Sequence, residues 1–192
     1  MIETILLALL FAKLRGYKIK PLFKDWPVYF VLLFALIYVV LEVSVFMGNY
    51  SVVRYTNIYK ILYLSAFLAM IIKYNLYRSA IVGSAFVFIG GALNNIAMAA
   101  NNGKMPVFPT LSYLTGYARP DAFSKVNDIH VLGNSMVAYK FLTDVIDLGY
   151  SVLSVGDVFI RLFVLIIIYY AAKSCSDRDN SLFMKKNVLM WK

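Results

Sequence analysis

Long apolar runs constrain this chain more than any other feature of its sequence. Val28–Gly48, Ser79–Ala100 and about Val155–Ala172 each approach the twenty or so apolar residues that a transmembrane helix needs. Ile58–Ile72 is shorter, and we extend this predicted span to about residues 57–73. Apolar residues make up 61% of the 192 residues, which is too many for a soluble domain. We therefore predict one membrane domain, residues 1–192.

The first apolar stretch, Ile2–Leu14, is shorter than a normal span and carries Glu3. Its basic residues follow the apolar run, whereas those of a secretory signal peptide precede it. The stretch predicts either a short span or a helix that lies in the membrane interface. The expected fold is an all-α membrane protein, a helical bundle of four to five transmembrane spans with one long, partly structured outward loop.

Basic residues collect on one side of the predicted spans, in Lys13–Lys24, Lys73–Arg78 and Lys173–Lys192. The long loop at about residues 101–154 has four basic and four acidic side chains, so it carries no such bias. The positive-inside rule then predicts a multi-pass protein of the cytoplasmic membrane, with its C-terminus in the cytoplasm and this loop outside. The same bias explains the net charge of +9 without nucleic-acid binding, for which the sequence offers no soluble module.

The sequence offers few residues for a metal ion or a cofactor. Cys175 is the only cysteine and His130 the only histidine, so no multi-cysteine or multi-histidine site is available. We predict no metal, no cofactor and no nucleic acid, and we name membrane lipid as a partner. His130 is open to two interpretations, acid–base chemistry or a local hydrogen bond in the loop.

Four asparagines lie at the predicted outer end of the span Ser79–Ala100. Asn94 and Asn101 are seven residues apart, and Asn95 and Asn102 repeat this spacing, so each pair shares a helical face. Such amides either form hydrogen bonds to neighbouring helices or line a polar pocket near the outer leaflet, and the sequence leaves both open. The glycines of the same span allow neighbouring helices to approach closely.

Two aspartates flank a short segment that is compatible with a β-hairpin before the last span. Asp144 precedes this segment and Asp157 follows it. Aspartates that lie close together can have different pKa values, so that one acts as a base and the other as an acid toward a water molecule. Alternatively, Asp144 or Asp147 is solvated or caps a helix, while Ser154 caps the last helix and Asp157 complements its dipole.

Charged residues inside apolar spans need partners, because charge is costly in hydrocarbon. Arg161 follows Asp157 by four residues, one helical turn. Glu42 and Arg161 both lie roughly 9 Å from the predicted outer ends of their spans, at about 1.5 Å per residue. We therefore predict that Arg161 contacts Glu42, Asp157 or both.

Several motifs together resemble an uncharacterised family of small bacterial polytopic membrane proteins. They are Gly91–Asn95, Asn102–Val107, His130, Phe141–Asp144 and Leu153–Val158. This resemblance covers nearly the whole chain. It implies a fold and a bacterial origin, and it implies no activity.

The order of motifs is also similar to signal peptidase II, a membrane aspartyl peptidase with four spans. In that family the third span ends in a Gly-Gly-Ala-Leu-Gly-Asn motif, which Gly90–Asn95 resembles. Leu142–Asp147 resembles its first aspartate segment, and Val152–Ile160 resembles its second. The resemblance implies Asp144 and Asp157 as the catalytic pair, with Asn95 as a supporting amide.

The leading functional expectation is a bacterial membrane protein with a peptidase-like polar site at the outer leaflet. As an aspartyl endopeptidase of the signal-peptidase-II type, it would cleave a membrane peptide or a lipid-modified, lipoprotein-like chain. The alternative is a non-enzymatic binding or assembly subunit, which would hold a partner helix or a lipid against its small residues and asparagines. The sequence leaves the choice between enzyme and binding subunit open.

Overall fold

The computed structural model describes residues 1–119, 123 and 129–190. Helices dominate this part of the chain, with short 3₁₀ turns at Leu22–Lys24, Tyr50–Tyr55 and Lys140–Leu142. The α-helices are α1 (Ile2–Leu14), α2 (Trp26–Phe46), α3 (Thr56–Ala66), α4 (Leu68–Tyr74), α5 (Tyr77–Ala99), α6 (Leu111–Leu114) and α7 (Val155–Met190).

Three helices of the described chain are long and apolar enough to cross a membrane. They are α2, α5 and the Val155–Ser181 part of α7. Only 11% of the most apolar stretch of α2 and 17% of that of α5 is buried within the protein. Such large exposed apolar surfaces are incompatible with water and are expected of helices that face lipid. The helices are therefore consistent with a multi-pass membrane protein.

The predicted span at residues 57–73 is divided into α3 and α4. At the break, the Phe67 N–H donates to the Leu64 carbonyl three residues back, at 3.3 Å, which interrupts the α-helical hydrogen-bond pattern. The Phe67 ring is fully buried and packs edge-on against Tyr63 and Phe163, with ring centroids 5.3 and 5.8 Å away. Each of the two helices is shorter than a membrane span.

The last helix is longer than the sequence predicts. We expected a span at residues 155–172 followed by a basic tail, whereas α7 continues to Met190. Gly156 is the last glycine of the chain, and no proline follows it, so no residue type that breaks helices interrupts this segment. At the other end of the chain, α1 buries Thr4, Ala8 and Ala12 on one face and exposes its other side.

The chain forms two compact units. The first consists of Met1–Ala35, Leu62–Ser84 and Leu162–Lys192, and its buried side chains come mainly from α1, α4 and α7. The second consists of Leu36–Ile61 and Ala85–Arg161. The second unit contains the long loop and all the residues that the sequence nominates for a functional site.

Four short strands give the long loop a structure of its own. β1 (Met105–Val107) pairs in parallel with β2 (His130–Leu132). β3 (Ile146–Asp147) pairs antiparallel with β4 (Val152–Leu153), which is the hairpin that the sequence suggests. The parallel pair was not predicted, because its two strands are far apart in the sequence and too short to show a pattern.

Candidate functional site

Two backbone hydrogen bonds hold Asp144 at the edge of β1. Its N–H donates to the Pro106 carbonyl at 3.1 Å, and its carbonyl accepts from the Phe108 N–H at 2.9 Å. These two bonds form a parallel bridge between Asp144 and Val107, on the side of β1 that β2 leaves open. The Asp144 side chain is consequently fixed in the interior of the loop, where only 5% of it is exposed.

Burial raises the pKa of Asp144 to about 7, because the charged carboxylate is poorly solvated there. His130 lies beside it, with Nε2 at 3.6 Å from Asp144 Oδ2, and lowers the pKa of this carboxyl in part. The β1–β2 pairing positions His130, since it is opposite Met105 in the register. His130 therefore contacts the buried carboxyl of Asp144, which the sequence did not predict.

Asp157 lies in the first turn of α7, where a hydrogen-bonded cluster surrounds it. The Ser154 hydroxyl accepts from the Asp157 N–H at 2.9 Å and donates to Asn94 Oδ1 at 2.7 Å. Asn94 Nδ2 in turn lies 3.4 Å from Asp157 Oδ1. Ser154 thus caps α7, as one interpretation of the sequence predicts. Asn94 links the end of α5 to this cap.

Lys60 of α3 adds a positive charge to the cluster. Its Nζ lies 3.7 Å from Asp157 Oδ1, and the side chains are 41% and 18% exposed. Lys60 lies inside the span predicted at about residues 57–73, and the sequence did not connect it with Asp157. A signal was nevertheless present, because Lys60 is the only charged residue in Ile58–Ile72 and charge in an apolar segment indicates a partner or a function.

A close helix contact holds α5 against the start of α7. A methyl group at Gly156 would overlap Asn94 Oδ1 and the Gly90 carbonyl, and one at Gly90 would overlap the Gly156 carbonyl and Ile160. Both positions therefore require glycine. The small residues that the sequence singled out do allow a close approach here, and the approach brings Asn94 to Asp157.

The charge of one nominated aspartate acts on the other. The negative charge of Asp157 raises the pKa of Asp144, and the positive charge of Lys60 lowers it, both less than burial does. The site thus contains the carboxyl of Asp144, whose protonated form burial favours, and the carboxylate of Asp157, which is paired with Lys60. Such a pair can supply one acid and one base to the same reaction.

The remaining asparagines lie apart from this group. Asn95 is exposed on α5. Asn101 binds the backbone of Ala138 twice, donating to its carbonyl at 2.9 Å and accepting from its N–H at 3.0 Å, so it holds the loop in place. Asn102 has a φ of 56° and Gly103 a φ of 76°, which identifies them as the turn after α5.

Glu42 and Arg161 are in a tyrosine-rich part of the second unit. The Glu42 carboxylate interacts with the hydroxyls of Tyr38 and Tyr117, and the charge of Arg161 also acts on Tyr38. Burial, and to a lesser extent Glu42, raises the pKa of Tyr117. The sequence analysis missed these tyrosines. Direct pairing of Glu42 with Arg161 stays a prediction.

The described residues contain no group of three histidine, cysteine, aspartate or glutamate side chains arranged to hold a metal ion. A family model matches residues 19–169, and its description is "Family of unknown function (DUF5317)". This match covers most of the chain, so the chain belongs to that family. Comparison with curated proteins and with solved structures gives no match.

Proposed function

We propose that this member of DUF5317 is a bacterial membrane peptidase that uses Asp144 and Asp157 as its acid and its base. The proposal extends the resemblance to signal peptidase II from motif order to chemistry. One observation carries it: the carboxyl of Asp144 is buried, has a pKa of about 7 and interacts with the carboxylate of Asp157. In acid–base sites, two neighbouring carboxyls commonly have different surroundings, so that one can donate a proton and the other can accept one.

In the proposed reaction, the Asp157 carboxylate takes a proton from a water molecule. The water oxygen attacks the carbonyl carbon of a peptide bond, and the Asp144 carboxyl donates its proton to the leaving nitrogen as the C–N bond breaks. The products are a carboxylic acid and an amine, and the proton now on Asp157 returns the pair to its starting state through solvent. Asn94 and Ser154 act as positioning residues, because they hold Asp157 at the start of α7.

The proposed membrane arrangement follows from the basic residues and from the helices. α2, α5 and α7 cross the membrane, the α3–α4 pair forms a further crossing, and α1 either crosses or lies in the interface, giving four to five spans. The basic ends face the cytoplasm, and residues 101–154 face outward. Asp157 is in the first turn of α7, which then lies at the outer boundary. The substrate is a peptide or a lipid-modified chain held at that leaflet.

Separate Asp144→Asn and Asp157→Asn variants test this proposal in cells. Each variant replaces the endogenous protein, and the new N-termini of membrane proteins are compared by mass spectrometry. We expect the same set of cleavage products to disappear in both variants, because neither carboxyl can replace the other. Asp179→Asn is the matched control, since Asp179 lies on α7 and its carboxylate forms an exposed ion pair with Lys18.

Membrane levels and elution profiles equal to those of the wild type show that each variant is folded. Cleavage products that persist in a folded Asp144→Asn variant would contradict the peptidase proposal. If the cleavage products also disappear in Asp179→Asn, the assay reports the level of the protein and not the chemistry of Asp144 and Asp157.

A binding or assembly subunit is the second candidate, and one observation favours it. Gly91 on α5 has no atom within 4 Å of the position of an added Cβ, so this part of a predicted small-residue surface is open. A partner helix can approach closely at such a surface. If this role is correct, Gly91→Leu removes a crosslink between α5 and its partner, whereas Asp144→Asn leaves the crosslink and all cleavage patterns unchanged.

A further inference from the structure

An open groove of about 420 Å³ lies along α7, around the point where its continuous apolar run ends at Ala172. From α7 it is lined by Tyr170, Ser174 and Arg178, which are spaced by four residues and therefore lie on one helical face. Lys173 borders the same groove, and Leu76 forms an apolar wall from outside α7. All of these residues belong to the first unit, so the groove is separate from the aspartate site.

Arg178 is held in position by groups that leave its charge uncompensated. Its Nη2 donates to the Lys73 carbonyl at 2.8 Å, and its guanidinium lies 5.3 Å from the centre of the Tyr74 ring. The backbone bond uses one of the five N–H donors of the guanidinium. The fixed planar fork of arginine suits the oxygens of a phosphate group. Arg178 is thus oriented in advance at the edge of the groove.

Two nearby carboxylates, those of Asp25 and Asp179, are bound to other cations. The described part of the chain contains no carboxylate within ion-pair distance of Lys173 or Arg178. Asp25 forms an ion pair with Lys73. Asp179 forms one with Lys18, with 3.0 Å between Lys18 Nζ and Asp179 Oδ2.

Among the described residues, Asp177 is the only acidic one that lines the groove, against the two cations Lys173 and Arg178. The lining therefore has an excess of one positive charge. The hydroxyl group of Ser174 adds a neutral donor to it, whereas the Ser181 hydroxyl donates to the Arg178 carbonyl at 2.8 Å.

We propose that this groove binds the phosphate group of an anionic phospholipid. The position on the helix favours a lipid over a soluble phosphate compound. The apolar run of α7 ends at Ala172, immediately before the cations, and Tyr170 is 41% exposed at this boundary, as aromatic residues at a membrane interface are. Basic pockets at the ends of membrane helices bind phospholipid headgroups, and the Leu76 wall meets the glycerol part of the lipid.

The test uses the full chain in neutral phosphatidylcholine vesicles with added phosphatidylglycerol, and native mass spectrometry counts the lipids that remain bound. We expect a Lys173→Gln, Arg178→Gln double variant to retain phosphatidylglycerol roughly thirtyfold less tightly than the wild type. Lys20→Gln, Lys24→Gln is the matched control, because it removes the same charge from two exposed residues outside the groove. Equal loss in this control would overturn the proposal.

Ser174→Asp provides a second variant that leaves the contact between Arg178 and the Lys73 carbonyl in place. It adds a negative charge to the groove and is expected to weaken phosphatidylglycerol binding, with the thermal stability of the protein unchanged. Inorganic phosphate and glycerol 3-phosphate are added as soluble competitors, and we expect neither to displace the lipid. Displacement by either compound at a concentration equal to that of the lipid would overturn the assignment to a phospholipid. Unchanged lipid retention in both groove variants would overturn the site itself.

Discussion

Asp144 and Asp147 lie three residues apart in one segment, yet their carboxyls differ in hydrogen bonding and in burial. Asp147 accepts hydrogen bonds from the Thr110 N–H at 2.6 Å, from the N–H and hydroxyl of Ser112 at 2.9 and 2.5 Å, and from the Gly149 N–H at 2.8 Å. Asp144 is more deeply buried and has the imidazole of His130 at 3.6 Å.

These surroundings give the two carboxyls different pKa values. Burial raises both pKa values, but at Asp147 the hydrogen bonds from Ser112, Thr110 and Gly149 outweigh burial and lower the pKa below its usual value. At Asp144 burial dominates and raises the pKa to about 7. Asp147 is therefore an ionised structural anchor of the hairpin, and Asp144 is able to carry a proton near neutral pH. One segment thus holds a carboxyl that hydrogen bonds keep ionised and a carboxyl that burial leaves able to bind a proton.

The largest expected effect is a pH dependence of stability that Asp144 alone causes. Its folded pKa of about 7 lies above the usual value of 3.8, so the folded protein binds the extra proton between these pH values. The contribution of Asp144 to stability is then greatest below about pH 4 and falls as the pH rises to about 7, by about 4 kcal/mol in total. Asp144→Asn should remove this decrease, as measured by equilibrium unfolding in detergent from pH 4 to 8. An unchanged slope in the variant would place the titrating group elsewhere.

Asp147→Ala should cost about 3 kcal/mol of unfolding free energy at pH 7, because the backbone and hydroxyl donors of Ser112 and its neighbours lose a charged acceptor. Thermal unfolding in detergent measures this loss. Asp179→Ala serves as the control, since its ion pair with Lys18 is exposed and contributes little. Equal stability of the two variants would show that the Asp147 hydrogen bonds do not anchor the hairpin.

Two glycines on α5 and α7 provide the smallest effects, and these are of opposite sign. Gly156→Ala should destabilise the protein by about 2 kcal/mol, because the new methyl group overlaps Asn94 and the Gly90 carbonyl. Gly91→Ala meets no atom within 4 Å and should stabilise α5 by up to about 1 kcal/mol through helix propensity. Thermal unfolding measures the stability of both variants. A similar change in stability in the two would refute the close helix contact beside Asp157.

Sequence predicted the long membrane helices well, because length and apolar character are local properties. The spans expected at Val28–Gly48 and Ser79–Ala100 are the helices Trp26–Phe46 and Tyr77–Ala99, shifted by two residues or fewer. The break at Phe67 was not predictable in this way, since it accompanies the burial of that ring against distant residues. The parallel β1–β2 pair depends in the same way on contacts between remote segments.

The site was predictable only in part, for a similar reason. Motif order nominated Asp144 and Asp157, and helical spacing nominated the asparagines. The protein brings Asn94 to Asp157 through the close contact at two glycines that the sequence shows. The roles of Lys60 and His130 depend on how α3 and β2 pack, which no local pattern records. Asn101 and Asn102 were nominated from helical spacing, whereas backbone bonds and a left-handed turn explain them better.

The ionisation of Asp144 is the most direct test of this account. Infrared difference spectra of protein with isotope-labelled aspartate follow the carboxyl bands with pH, and the band that Asp144→Asn removes belongs to Asp144. We predict that this band titrates near pH 7, and that His130→Gln moves its titration to higher pH because the imidazole lowers the pKa of Asp144. Titration of the Asp144 carboxyl near pH 4, like that of an ordinary solvated aspartate, would contradict the assignment of Asp144 as the acid of the site.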